Sequence, residues 1–227
     1  MMLRKLLLPL MLAVLGSAPA VAASRGPVTP AAKSKKATAK PVVKATPAQK
    51  KRPAAPLPKG RRVATRAGKL VGASLTAYRV PDDCSGLVRA AYQAVGIELL
   101  SHGTRPGENA VSAIHRRAQR AGALHQRTPK PGDIVFFRET YDRNRDGERN
   151  DGLTHVGVIE SVERDGTVVF VHRGGSGVKR SRMNLRFPTK REQGGRVLND
   201  YIRRAEDGER ARFASELFSG YASVSRL

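Results

Sequence analysis

Thr154-His155-Val156-Gly157-Val158-Ile159-Glu160-Ser161-Val162, Glu163-Arg164-Asp165-Gly166, Thr167-Val168-Val169-Phe170-Val171-His172 is the stretch that decides the fold. Two runs rich in β-branched and aromatic residues flank four residues of turn composition, which predicts an antiparallel hairpin. Side chains alternate faces along a strand. If residues 163–166 make the turn, Val162 pairs with Thr167 and His172 lies opposite Gly157, on the face that carries His155. The two imidazoles are then diagonal neighbours, roughly 7 Å apart before side-chain reach. A two-residue turn keeps both on one face but sets them further apart, and the sequence leaves that choice open.

Working outward, Pro131-Gly132-Asp133 reads as a turn into a short buried strand, Ile134-Val135-Phe136-Phe137. Residues 139–153 are a polar loop, and a further strand is expected near Val178–Met183. Upstream, Val63–Ala73 has the composition of a first helix. From Cys84 to Val95, Leu87, Ala91, Ala94 and Val95 fall on one helical face, and Gly96 is a natural stop. Glu108–Ala123 reads as another helix with arginines on its outer face, and Gly208–Ala222 as a terminal one. Helices first and an antiparallel meander later predict an α+β domain, helices packed on a small antiparallel sheet, over 63–227.

The chain has 227 residues, 42 of them Lys or Arg against 19 Asp or Glu, for a net charge of +23. That excess is concentrated. Residues 24–62 hold twelve basic residues, no acid and no aromatic, and are spaced by prolines that prevent a regular helix. We read 24–62 as a disordered basic arm, either a spacer or a docking segment for an anionic surface polymer. Without interleaved aromatics to stack on bases, specific nucleic-acid binding is not expected. Residues 1–23 have the layout of a secretory signal: Arg4 and Lys5, an apolar run from Leu6 to Leu15, then Ala20-Val21-Ala22. The run is far short of the ~20 residues that span a bilayer, so no transmembrane anchor is expected after signal removal. The expected location is periplasmic or extracellular.

Cys84 is the only cysteine, so it has no intrachain partner in an oxidising compartment. It is therefore either buried and inert or kept for its chemistry. Its placement at the opening of a helix, after Asp83 as cap, exposes it to unpaired N–H groups and the positive end of the helix dipole. Those features are expected to lower the thiol pKa. A cysteine nucleophile needs a base and a group that orients it, and His155 and His172, expected on one face of the hairpin, are the candidates, against the alternative of half-buried structural histidines. His102, His115 and His125 read as surface residues.

Asp83-Cys84-Ser85-Gly86-Leu87-Val88 resembles the nucleophile signature of NlpC/P60 cysteine peptidases. Pro131–Phe137 and Thr154–Ile159 resemble the strands that follow in that family, and His172 matches its third polar position. The resemblance covers about residues 65–185. It implies a papain-like fold and hydrolysis of peptide bonds in peptidoglycan stem peptides. On the matching positions Cys84 is the nucleophile, His155 the base and His172 its orienting partner, with Tyr78, Asp83 and Ser85 toward substrate. The usual Tyr-Trp-Gly-Gly stretch is missing. The related CHAP amidases share the fold, but their cysteine motif differs and their third residue is usually not histidine.

No cofactor is required by this chemistry. One motif stands apart: Asp142-Arg143-Asn144-Arg145-Asp146-Gly147 has the alternating oxygens and closing glycine of half a calcium loop. Leu153 stands where a bidentate acid is expected, and Asp151 is the candidate substitute. Asp142, Asn144, Asp146 and Asp151 are thus candidate ligands of a structural calcium ion, against a plain polar turn. Two rivals to the hydrolase remain: a catalytically silent module that binds wall polymer through the arm and a degenerate cleft, and a basic nucleic-acid or membrane-surface binder.

Overall fold

The structure is a computed structural model that describes residues 55–205 and 208–227. The stretch expected to be a signal, 1–23, and the expected arm as far as residue 54 lie outside the described residues. Helix α1 spans Lys59–Lys69, so it opens inside the stretch assigned to the arm. Its charged side chains point outward while Val63, Ala64 and Ala67 are buried. The basic composition of 59–62 therefore marks an exposed first turn. Helix α2 (Cys84–Tyr92) continues as a 3-10 turn, Gln93–Val95, and stops at Gly96 with φ of 75°. Helix α3 (Ala110–Arg120) is capped by Asn109, whose side chain accepts from the Ser112 N–H at 2.8 Å.

The strands are β1 (Leu124–His125), β2 (Ile134–Arg138), β3 (Leu153–Val162), β4 (Val168–Gly174), β5 (Gly177–Met183), β6 (Glu192–Gln193), β7 (Arg196–Val197), β8 (Tyr201–Arg203), β9 (Arg212–Phe213) and β10 (Phe218–Ala222). Six form one antiparallel sheet in the order β1-β10-β2-β3-β4-β5. Both faces are covered, which is why β2 reads as a continuous apolar run. Ile134, Phe136, Val156, Val158 and Val171 pack with the helices. Val135, Phe137, Ile159, Val168 and Phe170 pack with Met183, Ala214, Leu217 and Tyr221. The result is the expected α+β mix of helices on an antiparallel sheet.

The terminal helix expected over Gly208–Ala222 does not form; β9, a turn and β10 stand there. Phe213, Leu217 and Tyr221 are spaced by four, which fits a helical face, but four is also an even number and fits one face of a strand. Pairing with β1 on one side and β2 on the other decides between them.

The decisive hairpin also has a feature the sequence did not show. Val162 pairs with Val168, one residue later than expected, and the register shifts back between Ile159 and Ser161, so Val158 pairs with Val171. The extra residue, Glu160, is a bulge. Turn and bulge cancel, and His172 comes alongside Gly157: a Cβ on Gly157 would lie 3.4 Å from that of His172.

The Pro131-Gly132-Asp133 turn anchors both ends of the domain. The buried Asp133 carboxylate accepts from the N–H groups of Lys130 at 2.8 Å and Val224 at 2.9 Å. His125 Nε2 stands 3.5 Å from the same carboxylate, so His125 is not a free surface residue. Neither is His115, which sits edge-on to Phe136 at 5.1 Å. His102 is exposed, as expected.

Candidate active site

Cys84 is the first residue of α2, and two contacts fix it there. The Asp83 carboxylate accepts from the Gly86 N–H at 2.8 Å and from the Ser85 hydroxyl at 2.7 Å, capping the helix. At Gly86 a Cβ would stand 1.8 Å from the Pro81 carbonyl oxygen, so only glycine lets the incoming chain pass this close to the first turn. The Cys84 sulfur, half-buried, is approached by the backbone N–H groups of Val156, Ser85 and Cys84 itself.

Those N–H groups favour a thiolate, as the helix-mouth position predicts, but they do not win. Burial, followed by the neighbouring Asp83 charge, pushes the thiol up to about 11. Burial and the Asp83 charge thus act against the lowering expected at a helix mouth. A few oriented dipoles stabilise the anion less than loss of water and a like charge destabilise it.

His155 lies near the start of β3 and His172 near the end of β4, at the end of the sheet where α2 begins. Nε2 of His155 is 2.8 Å from Nδ1 of His172, with the rings perpendicular. Nε2 of His172 is 3.0 Å from the Ser181 hydroxyl on β5. His172 and Ser181 are almost fully buried, and His155 is 9% exposed, enough to reach the cleft. Burial first, then the Lys179 charge, holds His155 down at about 4; burial, the neighbouring His155 and Lys179 push His172 well below the usual range. At neutral pH both rings are uncharged.

A neutral chain of this kind has a direction. If His155 donates from Nε2 to Nδ1 of His172, then His172 donates from Nε2 to Ser181, and Nδ1 of His155 keeps its lone pair. If Ser181 donates to His172, every bond reverses and Nδ1 of His155 carries a proton. Only the first arrangement makes His155 a base through Nδ1.

Cys84, His155 and His172 line one cleft of about 670 Å³, with Asp83, Thr140, Tyr141, Arg173 and Lys179. Arg173 clasps the Asp82 carboxylate with two nitrogens, at 2.8 and 3.3 Å, joining the end of β4 to the loop before α2. The remaining expected contacts fare unevenly. Tyr78 is not among the residues lining the cleft; its ring lies under the Arg66 guanidinium at 4.6 Å and packs on the core. Ser85 is buried with its hydroxyl held by Asp83, so it holds the helix start together. Asp83 lines the cleft, but one carboxylate oxygen is taken by the cap.

Sequence reading does not single out two residues of the cleft, Tyr141 and Lys179, or the buried Ser181 behind His172. Tyr141, about half exposed, stands on the polar loop close enough for Cys84 to influence its titration. Lys179 and Ser181 share the face of His172, since Lys179 pairs with His172 and Ser181 with Phe170. The signal was present in the two-residue turn Gly175-Ser176, which fixes that register.

The acidic loop closes on itself. Asp142 accepts from the N–H groups of Arg145 and Gly147, and Asp146 accepts from the Glu148 N–H and from the side-chain amides of Asn144 and Asn150. Asn144 accepts from the Asp146 N–H, and Asp151 from the Arg143 N–H. Among the described residues no group of three or more His, Cys, Asp or Glu is placed to hold a metal ion.

Residues 75–174 match the family model of the CHAP domain, a papain-like cysteine peptidase and amidase domain related to NlpC/P60. The match covers under half of the chain and includes Cys84, His155 and His172. No curated protein and no solved structure matches the chain. A CHAP domain implies cysteine- and histidine-dependent hydrolysis of peptidoglycan. Among the described residues, no helix is long and apolar enough to cross a membrane.

Proposed function

We propose that this chain is an exported cysteine hydrolase that cleaves amide bonds in peptidoglycan stem peptides. The observation that carries the reading is that Cys84, at the mouth of α2, lines the same cleft as His155 and His172, whose imidazoles are linked at 2.8 Å and continue at 3.0 Å to the buried Ser181 hydroxyl. Export is supported by the signal-like layout of residues 1–23 and by the wall substrate that a CHAP domain implies.

In this mechanism the Cys84 sulfur attacks the amide carbonyl carbon while its proton passes to Nδ1 of His155. A raised thiol and a depressed imidazole make these two events concerted, because a standing thiolate–imidazolium pair is disfavoured. The backbone N–H of Cys84 or a neighbour stabilises the oxyanion, a contribution often worth ~3 kcal/mol. His155 then returns the proton to the leaving amine as the C–N bond breaks, leaving a thioester on Cys84. Water, deprotonated by His155, attacks the thioester, and the carboxylate product leaves as the thiol is regenerated. His172 holds the ring of His155 in place and accepts its Nε2–H throughout.

A second reading is a catalytically silent cleft that binds wall polymer, supported by the partial burial of Cys84 beside the Asp83 carboxylate, which pushes the thiol up. Incubation of the protein and of a Cys84→Ala variant with muropeptides, followed by mass analysis, separates the two. New products from the first and none from the second are expected; the same profile from both removes the hydrolase.

A further inference from the structure

We propose that helix α1 carries a docking surface for a linear phosphodiester polymer, a ridge of Arg61, Thr65 and Lys69 beside Arg180 and away from the Cys84 cleft. Its test needs no catalysis, so it stands or falls apart from the hydrolase reading.

The first acidic residue of the chain is Asp82. The basic run therefore does not end with the arm; it continues through α1, which contributes Lys59, Arg61, Arg62, Arg66 and Lys69. The fold sorts these five cations. Arg62 donates to the Ala94 carbonyl, and Arg66 lies over the Tyr78 ring. Lys59, Arg61 and Lys69 are exposed and make no ion pair among the described residues. No segment upstream of α1 holds an acid that could neutralise them.

Arg61, Thr65 and Lys69 are four residues apart and share one ridge of the helix, rising about 6 Å at each step. The ridge borders a groove of about 410 Å³ that Ala64, Gly68, Glu160 and Arg180 complete. Gly68 lets the sheet side come close: a Cβ there would lie 3.3 Å from Nη2 of Arg180. Glu160, the only acid lining the groove, is already held by Arg180, whose Nε and Nη2 donate to it at 2.6 and 2.8 Å. That pair cancels, and the charges left along the groove are those of Arg61 and Lys69.

Cations spaced along a ridge, with a hydroxyl donor between them, suit an extended chain of repeated anions. A lipid surface fits less well. An interfacial helix inserts its apolar face, but Val63, Ala64 and Ala67 are buried in the domain, and every exposed side chain of α1 is polar. Single-stranded nucleic acid is held by stacking on aromatic rings as well as by charge, and α1 has no aromatic residue. A phosphodiester chain without bases asks only for what the ridge offers.

The test measures binding of the full chain to long-chain inorganic polyphosphate, whose repeating charge stands in for that of a phosphodiester polymer, over a series of salt concentrations. Binding that weakens steeply with salt is expected. Arg61→Gln combined with Lys69→Gln should lower the affinity about three- to tenfold, as two exposed charge contacts imply, and reduce the salt slope by about one to two, with Tm unchanged. Glu160→Gln removes the only acid of the groove and should raise the affinity about twofold or more. Wild-type affinity in the double variant leaves the binding to the arm and overturns the site on α1, as does a Glu160→Gln chain that binds no better than wild type. Tighter binding to anionic phospholipid vesicles or to single-stranded DNA than to polyphosphate, at matched charge and salt, overturns the choice of partner.

Discussion

Nε2 of His155 lies 2.8 Å from Nδ1 of His172, and because burial keeps both rings neutral at ordinary pH one must donate and the other accept. Ser181, 3.0 Å beyond, bonds the far nitrogen of His172 and extends the chain, its hydroxyl able to accept or donate. Ser181→Ala is expected to lower kcat by about 3- to 10-fold, the value of one hydrogen bond of ~1 kcal/mol, and Ser181→Thr to retain it. His172→Ala should cost more, about 10²–10⁴-fold, since the base then loses its orientation as well. Nitrogen NMR of the imidazoles checks the cause: the wild-type His155 should show an unprotonated Nδ1. Loss of activity in Ser181→Ala with that signal unchanged would reduce Ser181 to a packing role.

The titration of the site sets a second expectation. The folded thiol is held at about 11, so iodoacetamide should label Cys84 slowly at neutral pH, with a rate that rises tenfold per pH unit up to that value. Hydrolysis should instead stay level through neutral pH and fall only as His155 gains a proton near 4. Fast labelling at pH 7 would mean that the helix dipole outweighs burial after all.

Asp83 joins the cap to that titration. Its charge raises the thiol and also favours the protonated form of His155. Asp83→Asn keeps a good cap while removing the charge, so stability should hold while labelling of Cys84 accelerates at fixed pH. Asp83→Ala should lose about 1 kcal/mol of stability as well, read from urea midpoints.

Much of this site is legible in the residue order, and the reasons for what is not are local. Cys84 and the histidine face follow from a helix stop at Gly96 and from strand alternation, both short-range rules. The bulge at Glu160 is invisible to alternation, yet it leaves His172 where the simple register put it, because the turn beyond is one residue longer. Motif position alone points Tyr78 and Ser85 toward substrate. The ring of one is held by Arg66 and the hydroxyl of the other by Asp83, partners that depend on chain paths no local pattern specifies. The C-terminal strand fails for a related reason, since its choice between helix and sheet is made by β1 and β2.

The acidic loop offers a test with a clear sign. Both carboxylate oxygens of Asp142 and of Asp146 already accept from N–H groups of the loop, which hold it closed. Excess chelator and added calcium are therefore expected to leave both activity and Tm unchanged. A Tm that rises with calcium, and falls back in Asp142→Asn, would instead make Asp142, Asn144, Asp146 and Asp151 a working ion site.

Stability against pH follows from the same buried groups, and its sign can be worked through. His155 is depressed from 6.5 to about 4 in the folded chain, so between those values the unfolded chain binds more protons. Stability is fully present above 6.5 and is lost as pH falls toward 4, by about 3 kcal/mol for this nearly buried ring. His172, shifted in the same direction, adds to the loss. Cys84 acts at the other end: with its pKa raised from 9.0 to about 11, stability is present below 9 and declines above it. Urea midpoints should therefore form a plateau between about pH 6.5 and 9 with a fall on each side. His155→Gln should flatten the acid limb and leave the alkaline one. An acid limb as steep in that variant as in the wild type would assign the loss to groups other than the His155 imidazole.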